Sequence, residues 1–446
     1  MKSSDMLHGN TGKSLFLFAL PMIIGNLFQQ LYTMVDSIIV GRFVNENALA
    51  AVGASYALTS VFISVAIGGG VGASVLTSQY LGAKDFSRMR TSIYTALITF
   101  LGISILLGIG GFTLSSGIMR WLNTPENIID QAALFLRIYF IGLPFLFMYN
   151  VLAAVFNSMG KSKIPLYLLI FSSVLNVLID LLFVCVFHLG VGGVAWATLI
   201  AQGISAILSF LTLVRYLRNF EKGKAVQRYD IHLLGKIFRI ALPSILQQSI
   251  VSIGMMLVQS VVNGFGSEVL AGYSSAMRIE GICVVPLAAM GNAVSTFTAQ
   301  NIGAGQKDRV KKGYLSAYII LAAFAVFICG ALELFHTPII SAFLNKNSSD
   351  LALQTGTAYL KFMGFFYIIL GLKMITDGLL RGAGDMKVFT AANLVNLAIR
   401  VFVAFQFAPS WGIAAVWYAV PMGWTANYLL SFSRYLSGKW KVIDIR

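Results

Sequence analysis

Apolar residues run along this chain in long blocks separated by short polar punctuation. Twelve blocks are long enough, at roughly 20 residues each, for an α-helix rising 1.5 Å per residue to cross about 30 Å of hydrocarbon. They fall near 15–40, 48–80, 92–118, 132–158, 163–187, 191–215, 237–262, 269–299, 313–336, 355–381, 386–408 and 411–436. The one long polar interval is 216–235, so the pattern predicts an all-α polytopic membrane protein with lobes over 1–215 and 236–446 and a linker between them. Prolines inside these blocks, at Pro21, Pro144, Pro243, Pro286 and Pro421, remove a backbone donor and tend to kink a helix. A static bend is the plainer reading of each.

The two sets of six repeat each other. Ala19-Leu20-Pro21 returns as Ala241-Leu242-Pro243, Gln79-Tyr80-Leu81-Gly82-Ala83 as Gln300-Asn301-Ile302-Gly303-Ala304, and Gly160-Lys161-Ser162-Lys163 as Gly384-Asp385-Met386-Lys387. Six crossings bring the chain back to its starting side, so the repeats are expected to be parallel, related by an axis along the membrane normal. In membrane proteins built this way a substrate site usually lies at the repeat interface.

Composition sharpens this. Hydrophobic residues make up 57% of the chain and charged residues 11%, with mean hydropathy +0.80, which excludes a soluble enzyme. The net charge of +15 is not a nucleic-acid face, because the basic residues are spread over short loops. One set of loops holds most of them, including Lys2, Lys13, Lys84, Arg88, Lys161, Arg215, Lys222, Lys224, Lys307, Arg381, Lys387 and Arg446, whereas the opposite loops hold Arg42, Arg120 and Lys346. By the positive-inside rule both termini and the central linker are expected in the cytoplasm of a cell-membrane protein. Cys185, Cys283 and Cys329 read as core residues, and the four histidines lack metal-ligand spacing. The short polar N-terminus predicts no cleaved signal peptide. The Gly68-Gly69-Gly70-Val71-Gly72 run lacks a phosphate-loop ending and suits close helix packing. With no Walker motif, catalytic triad or metal-ligand cluster, the chain is expected to be a transporter driven by an ion gradient.

Carboxylates inside a bilayer are functional candidates by default. Asp36 lies six residues before Arg42, roughly 9 Å inside the outer boundary, and Asp180 about 25 Å along its helix from Lys163. Thr198 sits about 12 Å below the same surface, and Asn176 shares a helix face with Asp180. Asn150 could contribute from mid-membrane. Hard oxygen ligands of this kind suit a small cation, and paired acids also suit proton uptake; a self-satisfied polar network is the competing reading. In the second lobe, Glu280 is a further ion or substrate carboxylate or a partner of Arg278. Asp377 is read first as an i,i+4 pair near the inner interface. Arg400 matches Asn176 across the repeat and could complement an acid in its own lobe.

These residues resemble the multidrug and toxic compound extrusion (MATE) family over essentially the whole chain. The resemblance is carried by Ala19-Leu20-Pro21, Val35-Asp36-Ser37-Ile38-Ile39-Val40-Gly41, Gln79-Tyr80-Leu81-Gly82-Ala83, Gln300-Asn301-Ile302-Gly303-Ala304-Gly305 and Leu380-Arg381-Gly382-Ala383-Gly384-Asp385. It implies twelve helices in two lobes around a central cleft, alternating access, and export of small organic cations and other amphipathic drugs in exchange for Na+ or H+. It also implies a cation site at Asp36, Asn176, Asp180 and Thr198 with Asn150 nearby, and a first helix that bends near Pro21. One branch of the family has acids on the seventh helix and midway along the tenth; here Gln247 and Gln248 and the late Asp377 stand instead, so coupling is expected in the first lobe. Tyr32, Met255, Met256, Met363 and Phe366 are candidates for the substrate cleft. A functional monomer is expected, with no cofactor beyond the coupling ion. The rival function is a flippase or exporter of lipid-linked saccharides on a related fold.

Overall fold

The computed structural model describes residues 6–44, 46–122, 124–220, 227–344 and 349–441; Lys2, Lys222, Lys224, Lys346 and Arg446, used above for orientation, lie outside them. Twelve long α-helices account for nearly all of the described chain: α1 (Thr11–Ile39), α2 (Glu46–Gly82), α3 (Phe86–Trp121), α4 (Glu126–Ser158), α5 (Lys163–Leu181), α6 (Gly190–Leu217), α7 (Ile231–Asn263), α8 (Ser267–Gly303), α9 (Lys307–Phe343), α10 (Asp350–Ala383), α11 (Met386–Trp411) and α12 (Ala414–Leu436). Single π-helical stretches, Val40–Val44 and Leu182–Val186, extend α1 and α5. Among the described residues, eleven helices are long and apolar enough to cross a membrane, as expected of a multi-pass membrane protein. Twelve spans were expected. The helix that falls short is α12, whose Thr425, Asn427, Ser431, Ser433 and Arg434 dilute its apolar sequence.

Helix ends follow local chemistry. Asp85 caps α3 by accepting the Arg88 N–H at 3.1 Å, and Ser349 caps α10 by accepting the Ala352 N–H at 3.3 Å. The α4 and α10 C-termini turn through Gly160 and Gly384, at φ +74° and +82°, where a side chain would be strained. The residues that follow each glycine close the turn, Lys161 N–H onto Phe156 O and Asp385 N–H onto Leu380 O, both at 2.9 Å. The repeated Gly-Lys and Gly-Asp signals in the sequence are therefore one turn used twice.

Packing divides the chain into two units, Ile24–Ile245, and Met1–Ile23 with Leu246–Arg446. The boundaries lie inside α1 and α7, two residues beyond Pro21 and Pro243, and not in the 216–235 linker where the sequence repeat changes over. The reason is local. The start of α7 is held within the first unit, where the Asp230 N–H donates to Thr95 Oγ on α3 at 3.1 Å and Ala241 lies against Gly72. In the second unit, Arg309 on α9 donates to the carbonyls of Met6 (3.3 Å), His8 (2.8 Å) and Gly9 (2.8 Å), just ahead of α1. Asn301 also donates to Met6 O at 3.0 Å, and Thr11 and Ser316 share a 2.7 Å hydrogen bond.

Small residues let backbones approach within each unit. In the first, the glycine run of α2 meets three helices: a Cβ at Gly69 would lie 2.4 Å from Phe100 of α3, at Gly70 3.2 Å from Asn150 O of α4, and at Gly72 2.7 Å from Ile237 O of α7. In the second, α8 and α10 touch through Gly272, Gly291, Gly378 and Gly382, each too close to a facing carbonyl for a side chain. Without a hydrophobic drive between helices in lipid, such contacts and interhelical hydrogen bonds hold the bundle.

Candidate cation site

The first unit gathers polar groups from three helices. α1 supplies Tyr32 and Asp36, four residues apart and so on one face; α5 supplies Asn176 and Asp180 at the same spacing; α6 supplies Thr198. Asp180 is fully buried and Asn176 is 2% exposed. Asp36 and Asp180 lie within hydrogen-bonding reach of each other, an arrangement that requires a proton or a cation between two carboxyl groups.

Asn176 is the hub. Its side chain is bonded to the Tyr32 hydroxyl and lies 3.5 Å from Thr198 Oγ. Turning its amide end over lets the nitrogen donate to Asp180 Oδ2 at 3.2 Å and the oxygen accept the Thr198 N–H at 3.0 Å, which satisfies both ends. Thr198 Oγ itself donates to Val194 O at 3.1 Å. After these bonds are made, Asp36 Oδ1 and Asp180 Oδ1 remain buried with no hydrogen-bond partner. Two acceptors short of a donor, beside a hydroxyl, an amide and a phenol, match the hard-oxygen coordination of Na+ and equally a shared proton. Among the described residues no cluster of three or more His, Cys, Asp and Glu forms.

Tyr32 also lines a cavity of about 250 Å³ between α1 and α5, walled by Phe28, Leu31, Val35, Val174 and Leu178. Its ring faces an apolar space while its hydroxyl belongs to the polar network. Asn150, expected nearby, donates to Leu146 O at 2.8 Å on its own helix and makes no hydrogen bond to either acid.

The remaining candidates belong to the second unit and form separate groups. Glu280 is 8% exposed and accepts a hydrogen bond from Tyr359, while Arg278 is exposed. Asp377 forms a 3.0 Å ion pair with Lys373; Asn393 donates to its Oδ2 at 3.2 Å and Ser431 to its Oδ1 at 3.0 Å. Arg381 turns away to Asn292 Oδ1 (2.6 Å) and Ser295 Oγ (3.2 Å). Asp377 thus has a fixed cation and a full set of donors. Arg400 makes no hydrogen bond or ion pair with a described residue. Met255 and Met256 are exposed on α7, and Phe366 packs against Phe362 at 4.8 Å between ring centroids. Met363 is fully buried within its unit and offers no surface to a ligand, as an unbranched side chain filling a core gap.

Sequence reasoning placed Tyr32 only in a substrate cleft; its spacing of four from Asp36 was the available sign that it shares the acid's face. Tyr359, Asn393 and Ser431 were not singled out. No spacing links them to the acids they serve.

The family model described as MatE matches residues 21–182 and again 243–406. A Bacillus subtilis protein named probable multidrug resistance protein YpnP is 30% identical over 446 residues, covering 100% of this chain and 99% of its own. A second from that organism, probable multidrug resistance protein YoeA, is 32% identical and covers 95% and 93%. Among solved structures, an outward-facing multidrug resistance MATE family transporter of the MOP superfamily superposes with TM-score 0.89 at 23% identity, over 99% of each chain. A MATE crystal structure in complex with MaL6 gives TM-score 0.90, also at 23% identity, over 99% and 100%.

Proposed function

Because the chain belongs to the MatE family of membrane transporters, we propose that it is a secondary active exporter, expelling amphipathic and often cationic compounds in exchange for Na+ or H+ by alternating access. The observation that carries this reading is the pair of buried, unpartnered carboxylate oxygens on Asp36 and Asp180. A buried acceptor without a donor costs about 1–3 kcal/mol. An incoming cation or proton supplies what both oxygens lack.

The protein works in the cell membrane with both termini cytoplasmic and acts as a monomer. The ion enters from outside and joins α1 to α5 through Asp36, Asn176 and Asp180, with Thr198 completing the shell from α6. It favours the form of low drug affinity; release inward resets the carrier. Coupling follows by linkage only if ion and drug prefer opposite states. The apolar cavity beside Tyr32 supports an amphipathic ligand, since its walls accept a ring or chain next to the charged site.

The test uses the full chain in proteoliposomes loaded with a fluorescent organic cation, driven by an imposed Na+ gradient and separately by an imposed pH gradient. Efflux is expected under one of them and abolished in Asp36→Asn and Asp180→Asn. Wild-type efflux in either variant would overturn the assignment of the coupling site.

A further inference from the structure

Each turn of the first unit has a counterpart in the second, and two of them differ in charge. Between α2 and α3 the Asp85 N–H closes onto Tyr80 O at 3.0 Å; between α8 and α9 the Gln306 N–H closes onto Asn301 O at 2.8 Å. The turn is the same, but its left-handed residue is Gly305 at φ +74° in the second unit and Lys84 at φ +57° in the first. A lysine held there carries backbone strain that glycine avoids. Between α4 and α5 the residue after Gly160 is Lys161, where the second unit has Asp385 after Gly384. Asp385 is buried and accepts from Arg434, the arginine in the last turn of α12. The last turn of α6 also carries an arginine, Arg215, and Lys161 cannot neutralise it. Lys161 Nζ lies instead 5.2 Å from the ring centroid of Tyr216, the residue after Arg215.

Both exchanges add positive charge to one end of the first unit, and aromatic contacts gather it. Tyr216 meets Phe220 at 5.5 Å and Phe220 meets Phe86 at 5.0 Å between ring centroids, which joins the end of α6 to the start of α3; Lys161 joins it to the start of α5. Around these half-buried rings stand Lys84, Arg88, Lys161, Lys163, Arg215 and Arg218. Arg88 approaches Asp85 at 3.8 Å with both side chains exposed, and the other five form no ion pair with a described residue. The need for positive loops on one side of a membrane applies to both units and accounts for neither exchange.

The outer face of α6 shows which anion fits. Ile207, Leu211, Arg215 and Arg218, at spacings of four, four and three, share one side of the helix, and all four are exposed. That side is apolar along the span and basic at its end, which is the profile of a phospholipid, and a soluble anion would leave its apolar part unused. Aromatic rings at the ends of membrane spans sit at headgroup level. We propose that this end of the first unit is a binding site for an anionic phospholipid. Arg215 and Arg218 take its phosphate, Lys84 and Lys161 meet its negative charge, and one acyl chain lies along Ile207 and Leu211. The site does not depend on what the chain exports.

The experiment titrates the full chain in detergent with phosphatidylglycerol and with zwitterionic phosphatidylethanolamine of the same acyl chains, and counts bound lipid by native mass spectrometry. The wild type is expected to prefer phosphatidylglycerol by about tenfold or more. Lys84→Gly, which installs the residue of the second unit, should weaken phosphatidylglycerol about fivefold while leaving the unfolding temperature of the lipid-free protein unchanged. Arg218→Gln should weaken it by a similar factor, and Lys161→Asp, which reverses a charge, by more. Phosphatidylethanolamine should stay within about twofold of wild type in each, and the control Lys311→Gln on α9 should alter neither lipid. A wild type without preference, or a preference unchanged in Lys84→Gly and Arg218→Gln, overturns the proposal. Equal loss in Lys311→Gln does so too, since the effect would then follow the net charge of the protein. Displacement of the lipid by equimolar glycerophosphoglycerol, the same headgroup without chains, would make this a soluble-anion site and likewise overturn it. If Lys161→Asp does not purify folded, Lys84→Gly and Arg218→Gln decide by the same lipid ratio.

Discussion

At the scale of single residues, the buried ion pair of Lys373 and Asp377 shows how presence and worth differ. Both side chains are about nine-tenths buried, and Asn393 bridges them, accepting from Lys373 Nζ at 3.1 Å while donating to Asp377. Such a pair adds little net stability, because desolvating two charges offsets their attraction. Removing one partner strands the other, at about 3–5 kcal/mol. Asp377→Asn is therefore expected to lower the unfolding temperature of the purified protein sharply, and the double variant Lys373→Met with Asp377→Leu to recover most of the loss. If the double variant is as unstable as the single, stranding of Lys373 is not the cause. The spacing of four offered both Lys373 and Arg381 as partners of Asp377, and depth measured at 1.5 Å per residue from charged loop positions brought Asp36, Asp180 and Thr198 to one level. What could not be read was which residue of a distant helix completes each acid. Tyr359 for Glu280 and Ser431 for Asp377 depend on helix rotation, which apolar sequence on all sides does not fix.

Among elements, the contact of α8 with α10 rests on absent side chains. A Cβ at Gly378 would stand 2.2 Å from Gly291 O, and one at Gly382 2.3 Å from Ser295 O. Neither atom is a flexible side-chain end, so the helices themselves must separate. Gly378→Val is expected to destabilise by about 1–3 kcal/mol or more through overpacking. Gly102 of α3 has nothing within 4 Å of its Cβ position, and Gly102→Ala should be neutral or stabilise by up to about 1 kcal/mol. Thermal unfolding and monodispersity in detergent would check both; equal effects would remove the packing argument. The glycine run of α2 announced close packing in the sequence. That its successive glycines face α3, α4 and α7 was not legible, because periodicity gives directions around a helix and not the neighbours in them.

For the molecule as a whole, the units of packing are not the halves of the sequence, and α1 is where this bears on transport. Its first residues are held in the second unit by the Thr11 bond to Ser316 and by the Arg309 clamp on the preceding carbonyls, while Tyr32 and Asp36 belong to the first unit. On the proposed reading, a change at Asp36 on ion binding is taken up along the helix between these anchored ends. Pro21 lies in that stretch, two residues before the boundary, and cannot donate the hydrogen bond that would tie it to Leu17 O. This removes one of the backbone hydrogen bonds that stiffen the rest of the helix, and we propose it as the point of bending. Pro21→Ala restores the donor and stiffens α1, so efflux is expected to fall several-fold while the affinity for the coupling ion stays within twofold of wild type. Arg309→Ala acts at the other anchor, removing its hydrogen bonds to Met6, His8 and Gly9, and should raise amide exchange over the start of α1 while slowing efflux with ion affinity again retained. If Pro21→Ala exports at the wild-type rate, α1 does not absorb the change by bending there. If ion affinity falls as far as efflux, the helix is part of the binding site's rigid frame and not the element that yields.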